Sequence, residues 1–317
     1  MVEFLLGKRE QISYAEETTY GTFTTPTDVL GREARFEPND KQNFQEIRAS
    51  GSDSINVASY EEGPLSYGGN LIFSPQNWKW LKFVVCNGSS DVTDNDMGSY
   101  YQHTFTNNKT IASFSLERAM QHSSTDHVLR YAGCQVNTAS ISWDASGGEG
   151  RGLIDVTLEL MAKSKSAGST VTSLSAPTDK AFQFRHALLT LNSTEIVELV
   201  GGTLNIENNL HDARYANYSL NRYKGESQPQ IRRFNGTFRI KIKDNTYESL
   251  WSAGTAISGT NTLVFRRATN DDVTFTFSNI KIETAPDPTN LDGINEVTLN
   301  WNAEDISIVA KDNITSY

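Results

Sequence analysis

Cysteine is nearly absent from this 317-residue chain, which holds only Cys86 and Cys134. Two cannot build a disulfide framework, and neither stands in a CxxC or Cys/His spacing that would hold zinc. Both are read as buried free thiols of a protein made in a reducing compartment. Histidine is scarce too: His103, His122, His127, His186 and His211 are scattered. The spacing of His122 and His127 fits neither a helical HxxxH pair nor one face of a strand. No run approaches the ~20 apolar residues of a membrane-spanning helix. Phe4-Leu5-Leu6 is too short for a signal-peptide core, so a soluble cytosolic product is expected. Excess basic charge is also missing. Lys and Arg number 28 against 38 Asp and Glu, a net charge of −10, which argues against binding a phosphate backbone through clustered cations.

Catalytic signatures are missing as well. There is no nucleophile elbow, Walker loop or dinucleotide fingerprint. The glycine-rich stretch Gly147 to Gly152 precedes a strand pattern, whereas a phosphate cradle needs a helix N-terminus there. Asp91 to Gly98 has a calcium-loop look, but it departs from EF-hand spacing and lacks the bidentate Glu; an acidic surface loop is the expectation. No catalytic, cofactor-binding or metal-binding residue is assigned, and the chain is not read as an enzyme.

What is present is period-two alternation. Phe238 to Ile242, Val273 to Phe277, Leu153 to Leu160 and Glu296 to Trp301 alternate apolar and polar side chains, the mark of strands with one face on a core. Two short helices are expected. One covers Pro75 to Val84, with Ser74 as N-cap and Trp78, Leu81 and Val85 on one face. The other covers Asp244 to Trp251, with Asp244 as cap. The fold class is all-β with short flanking helices.

Those helices expose an internal repeat. Each follows a strand opening on a glycine (Gly69-Asn70-Leu71-Ile72-Phe73 and Gly236-Thr237-Phe238-Arg239-Ile240). Earlier strand ends match as Phe36-Glu37-Pro38-Asn39 and Ile206-Glu207-Asn208-Asn209. Each half closes on a strand pair, Gln135 to Thr138 with Ile154 to Leu158, and Lys281 to Thr284 with Asn295 to Leu299. The order predicts two tandem β-sandwich domains, 1–163 and 180–317, around a Ser/Thr/Ala/Pro-rich linker at 164–179. Each half also carries a long segment, Asp40 to Gly63 and Leu210 to Gln228. Structureless loops beyond about 12–15 residues are uncommon and usually functional. The first holds Asp53, Glu61 and Glu62. The second holds Arg214, Tyr215, Tyr218, Arg222, Tyr223 and Lys224, and Tyr and Arg are enriched where partners bury surface. These nine residues are the expected inter-subunit or inter-ring contacts.

The opening Ser13-Tyr14-Ala15-Glu16-Glu17-Thr18-Thr19-Tyr20-Gly21-Thr22 resembles that of tail tube proteins from long-tailed viruses of bacteria and archaea. Phe275 to Ile282 followed by Glu296 to Asn300 resembles their closing pattern. The resemblance implies tube domains whose sheets join their neighbours' into a barrel around a hollow lumen. Six such domains make a ring, so a duplicated chain would close as a homotrimer with pseudo-sixfold symmetry, or as a hexamer if one half is only decorative. Rings would stack through long loops, with length set by a tape measure protein, and tail terminator and distal tail proteins at the ends. Viral DNA would pass an acidic, polar bore without specific binding. The expected location is the virion tail, after assembly in the host cytoplasm. Two other readings compete: a distal tail adaptor or tube terminator, and a carbohydrate-binding β-sandwich using Trp78, Trp80, Tyr100 and Tyr101.

Overall fold

A computed structural model describes residues 10–48, 57, 59–120, 126–145, 152–214, 223–242, 246–252, 254–283 and 296–317. The first half of the chain runs β1 (Glu10–Glu16), β2 (Asp28–Val29), β3 (Arg32–Pro38), β4 (Lys41–Ile47), β5 (Ser59–Ser74) and α1 (Lys82–Val85). It continues through β6 (Val92–Asp96), β7 (Tyr101–Phe105), β8 (Phe114–Met120), β9 (His127–Asp144), β10 (Asp155–Ala162) and β11 (Ser164–Gly168). The second half runs β12 (Ala187–Leu191), β13 (Thr194–Glu195), β14 (Leu199–Glu207), β15 (Arg233–Lys241) and α2 (Thr246–Ser252). It ends with β16 (Thr262–Ala268), β17 (Asp271–Ser278), β18 (Lys281–Ile282), β19 (Glu296–Ala303) and β20 (Asp305–Asp312).

The protein is mostly β. One antiparallel path crosses both halves in the order β3-β5-β10-β9-β14-β15-β19-β18. Its two sets of four run in the order β3, β5, β10, β9 and then β14, β15, β19, β18, joined between β9 and β14. The outer layers correspond in the same way. In the first half β2 pairs β1, β1 pairs β8, β8 pairs β9 and β9 pairs β11. In the second, β13 pairs β12, β12 pairs β16, β16 pairs β17 and β17 pairs β20. The long β9 serves both layers of its half, pairing β8 and β11 with its first residues and β10 and β14 with its last.

Alternation puts the apolar residues between the layers. Phe238 of β15 and Trp301 of β19 stack at 5.1 Å, and Phe277 of β17 meets that indole edge-on at 4.8 Å. In the first half Phe36 of β3 meets Tyr131 of β9 at 5.0 Å. The two cores are continuous. Trp78 stacks on Phe265 at 5.7 Å and touches Phe182 and Phe275, all three from the second half. With Trp78 and Trp80 both buried, neither can serve as a sugar platform. Cys86 and Cys134 are buried free thiols, and burial pushes the Cys86 thiol up to about 12.

Several expectations change. The Pro75 to Val84 helix shrinks to a 3-10 turn at Lys79–Leu81 and one turn of α-helix. Ser74 does not cap it; it ends β5, and its hydroxyl donates to Asp155. Trp78, Leu81 and Val85 are nonetheless buried, since the apolar spacing holds without a long helix. Trp251 of α2 is exposed and donates its ring N–H to the Glu283 carbonyl; Asp244 lies outside the described residues. The segment expected as a linker opens with β11, whose backbone pairs with β9. Asp91 to Gly98 is largely β6, and β6 and β7 extend the second half's outer layer by pairing β7 with β20.

That crossing strand carries a buried charge. The His103 ring is fully buried, with Nδ1 2.5 Å from Asp94 and Nε2 3.1 Å from Asp312. Tyr317 stacks on it at 3.7 Å and donates its hydroxyl to Asp312. Carboxylates at both nitrogens are satisfied only by the doubly protonated ring. Burial pulls the His103 pKa down, but its hydrogen bonds to Asp312 and Asp94 outweigh that and leave it raised. A raised pKa contributes stability that is complete below the unfolded value, about 6.5, and fades as pH rises through the folded value. The melting temperature is therefore expected to fall above neutral pH, and His103→Gln should flatten that slope. An unchanged slope in the variant would assign the effect elsewhere.

Candidate functional site

Among the described residues two features stand apart from the shared core: the ends of the inner sheet path, and the segments between the first two inner strands of each half.

Among the described residues the path stops at β3 on one side and β18 on the other. Unpaired strand edges are templates for further pairing. The same kind of edge is already joined once within the chain, at β9–β14, where Thr138 faces Glu207 and Asp144 faces Gly201. Glycine is needed there. A Cβ on Gly202 would stand 2.9 Å from the Trp143 ring and 2.3 Å from the Thr237 carbonyl. Pro38 lies in β3, and Asn39 N–H donates to the Gly68 carbonyl at 2.8 Å. Ladder alternation then places the nitrogen of Pro38 on the outer side, where a missing N–H breaks no bond.

The face of this sheet turned away from the core is polar. Ser140 donates to Asn205 at 2.7 Å, Asn205 to Asn235 at 3.0 Å, and Asn235 to Glu207 at 2.8 Å. The Thr203 and Thr237 hydroxyls meet at 3.0 Å. These amides and hydroxyls are largely satisfied by one another across strands, which leaves a wettable surface with few free donors. Glu159 and Asp155 add acidic positions, while Arg239 is tied to Asp144 and Glu296.

The first arm is a hairpin rather than a structureless loop. β4 pairs the first part of β5, with Phe44 opposite Glu62, Gln45 opposite Glu61 and Glu46 opposite Tyr60. Every residue of β4 is exposed, because the hairpin has no second layer beneath it. Phe44 is 56% exposed, Tyr60 62% and Ile47 42%. The register puts Phe44 and Tyr60 on one face, among the carboxylates of Glu46 and Glu62. Asp53 lies outside the described residues.

The second arm leaves from a bridge between Leu210 and Pro229. Of its expected contact residues, Tyr215, Tyr218 and Arg222 lie outside the described residues. The others fold back on their own chain. Arg214 donates to the Leu65 carbonyl at 3.0 Å and to Asp212 at 2.8 Å. Tyr223 lies 6.4 Å from Tyr67, so the bases of the two arms meet. Lys224 is only 4% exposed and holds the arm's base; desolvation lowers its pKa to about 8, partly offset by Asp212.

Residues that sequence reasoning did not single out secure this base. Gln135 and Ser227, both buried, exchange side-chain-to-backbone hydrogen bonds at 3.2 and 3.0 Å. Tyr20 donates its hydroxyl to the Gly225 carbonyl at 3.0 Å. Glu17, buried beneath, accepts from Gly21 N–H, Gly133 N–H, Ser113 Oγ and Ser115 Oγ, each at 2.8 Å. The Ser13 to Thr22 motif is thus a structural hub; its paired acids and Tyr-Gly turn were the signal.

Among the described residues no group of His, Cys, Asp and Glu is placed to hold a metal ion. Comparison with curated proteins finds no match. A family model described as phage tail tube protein matches residues 7–303, nearly the whole chain. With its joined sheet, free edges and projecting arms, the chain belongs to the phage tail tube protein family and is a structural component of the virion tail.

Proposed function

We propose that three copies close into a ring of six quasi-equivalent sandwiches, and that stacked rings form the tube through which viral DNA leaves. The observation that carries this is the β9–β14 pairing, which joins two strand-for-strand equivalent halves inside one chain. The β3 and β18 edges of successive copies would pair in the same way. Closed cyclic assembly removes every edge. The proposed domains are the two repeats, near 1–163 and 180–317, sharing one core. The polar face of Ser140, Asn205, Asn235 and Thr237 would line the bore, offering a passing polyanion little to bind. A tape measure protein would occupy the bore during assembly in the host cytoplasm, and tail terminator and distal tail proteins would cap the ends.

The arms would stack the rings. Exposed Phe44, Tyr60, Glu61 and Glu62 are the contacts of the first arm. Tyr215, Tyr218 and Arg222 are assigned to the second, with Arg214, Tyr223 and Lys224 holding its base. Negative-stain electron microscopy of concentrated protein is expected to show tubes with threefold ring averages; dispersed monomer at all concentrations would reject the reading. Phe44→Asp with Tyr60→Asp should leave single rings and shorten stacks at least tenfold. Tubes of normal length would remove the first arm from stacking.

A further inference from the structure

The roots of the two arms sit in the same register. Gly69 of β5 faces Leu160 of β10, and Gly236 of β15 faces Trp301 of β19. Counted from those glycines, Lys41 opposite Ser66 matches Glu207 opposite Arg233, and Phe44 opposite Glu62 matches the Leu210–Pro229 bridge. Gln45 opposite Glu61 matches the His211 N–H that donates to the Gln228 carbonyl. The turn that opens at Lys79 and leads into α1 begins as far past Gly69 as α2 does past Gly236. α1 lies against β9 and α2 against β18. Gln135 opposite Met161 matches Lys281 opposite Asn302.

Within the chain, the root of the second arm is seated on the α1–β9 corner of the first half. Asn208 donates its side-chain amide to the Val84 carbonyl at 2.9 Å, and Arg232 donates to the Val85 carbonyl at 3.4 Å. The Asn208 backbone N–H donates to the Asn137 carbonyl at 2.8 Å. Gln135 accepts from Ser227 N–H and donates to the Ser227 carbonyl. Asn208, Val84 and Gln135 are all buried. Their counterparts by register are Gln42 at the hairpin root, Trp251 on α2 and Lys281 on β18, and all three are exposed. The joint therefore exists once inside the chain and once more as two uncovered halves. The Glu283 carbonyl, as far along β18 as Asn137 is along β9, accepts the Trp251 ring N–H at 3.2 Å where the internal joint has a backbone N–H.

We propose that the root of the β4–β5 hairpin, at Gln42 and Leu65, docks on the α2–β18 corner of a second copy of this chain. The proposal rests on the ring reading above and names the residues of its seam. The chemistry of the two halves fits. Gln42 carries the amide of Asn208 on a stem one methylene longer. Asn39 N–H donates inward to the Gly68 carbonyl, so ladder alternation turns the Gln42 N–H outward, free to take the Glu283 carbonyl. That exchange releases the Trp251 indole to lie over Leu65, half-buried where the internal joint has Arg232. A tryptophan closed over an apolar neighbour is a favoured interface anchor. Lys281 stands where the internal joint has Gln135, and it would meet a hairpin that carries Glu46, Glu61 and Glu62, so opposite charges face each other.

The test uses tryptophan fluorescence of the full chain. Trp78, Trp80, Trp143 and Trp301 are buried and Trp251 is exposed, so quenching by acrylamide reads this corner. In the unaltered protein, quenching is expected to fall at least twofold when rings form, and the fall should be absent from Trp251→Phe. In parallel, Gln42→Cys is paired with Trp251→Cys, leaving buried Cys86 and Cys134 in place, and assembled protein is treated with a short bifunctional maleimide. A covalent ladder ending at trimers is expected, and none from either cysteine variant alone. Rings in which Trp251 stays open to quencher and the cysteine pair does not cross-link would overturn the docking and leave the ring reading standing. Absence of rings in the unaltered protein would overturn both.

Discussion

Replacing Ile282 by proline is expected to leave a folded chain that forms no rings. β18 pairs β19 through Lys281 opposite Asn302 and Ile282 opposite Trp301. Glu283 N–H donates to the Asn300 carbonyl at 2.8 Å, so the alternation of the ladder turns Ile282 N–H to the free edge. Proline there removes an outward donor and no internal bond, and its fixed φ is tolerated on an edge strand. The half-buried Ile282 side chain loses some packing, about 1–2 kcal/mol, so the melting temperature should move by only a few degrees. The proposed ring, by contrast, needs that edge at every seam. Ile282→Val, which keeps the donor, is the control and should form rings. Sedimentation and electron microscopy decide: tubes from the proline variant would place the seam away from β18.

The largest loss of stability is expected from Glu17→Ala. Its carboxylate accepts two backbone N–H groups and two hydroxyls in a buried site. Removing an acceptor leaves buried donors unsatisfied at about 1–3 kcal/mol each. The serine hydroxyls can rotate to other partners, whereas the Gly21 and Gly133 amides cannot. A loss of about 3–5 kcal/mol follows. At roughly 2–4 °C per kcal/mol, the melting temperature should fall by about 10 °C. Because Tyr20 ties this turn to Gly225, the second arm should become sensitive to proteolysis under conditions where the sheets stay intact. Glu17→Gln should cost about half as much, since its carbonyl oxygen still accepts while its amide faces a donor. A loss below about 1 kcal/mol for the alanine variant would mean that the hub contributes little.

Strand positions were legible wherever one face met a core. Phe238, Ile240, Val273, Phe275, Val297 and Leu299 alternate with polar residues, and all are buried. The β4–β5 hairpin was not legible for the same reason. With no layer beneath it, β4 has no apolar face to write a period of two into Lys41 to Ile47. The short turn after Ser74 looked like a longer helix because Trp78, Leu81 and Val85 keep helical spacing. Burial in the core, not helix length, requires those residues, Trp78 against the second half. Nor could a contact list follow from side-chain type alone. Lys224 stands in a Tyr- and Arg-rich segment that reads as a contact surface, yet it is buried within its own chain.

The amino-acid sequence by itself determined the all-β class of this protein and which residues of its strands face the core. Each of those properties is local, written in neighbouring residues or in their recurrence. The tertiary structure decided what joins what: β9 to β14, β7 to β20, Glu17 to the turn at Gly133, and Tyr20 to the base of the second arm. Such pairings bring together residues far apart in the chain, His103 and Asp312 being separated by 209 positions. Strand periodicity states which face is apolar but not which edge meets which, because backbone hydrogen bonds are the same at every residue. Only the closing of both layers over one core selects among the possible edges, and among the described residues it leaves those of β3 and β18 at the ends of the path.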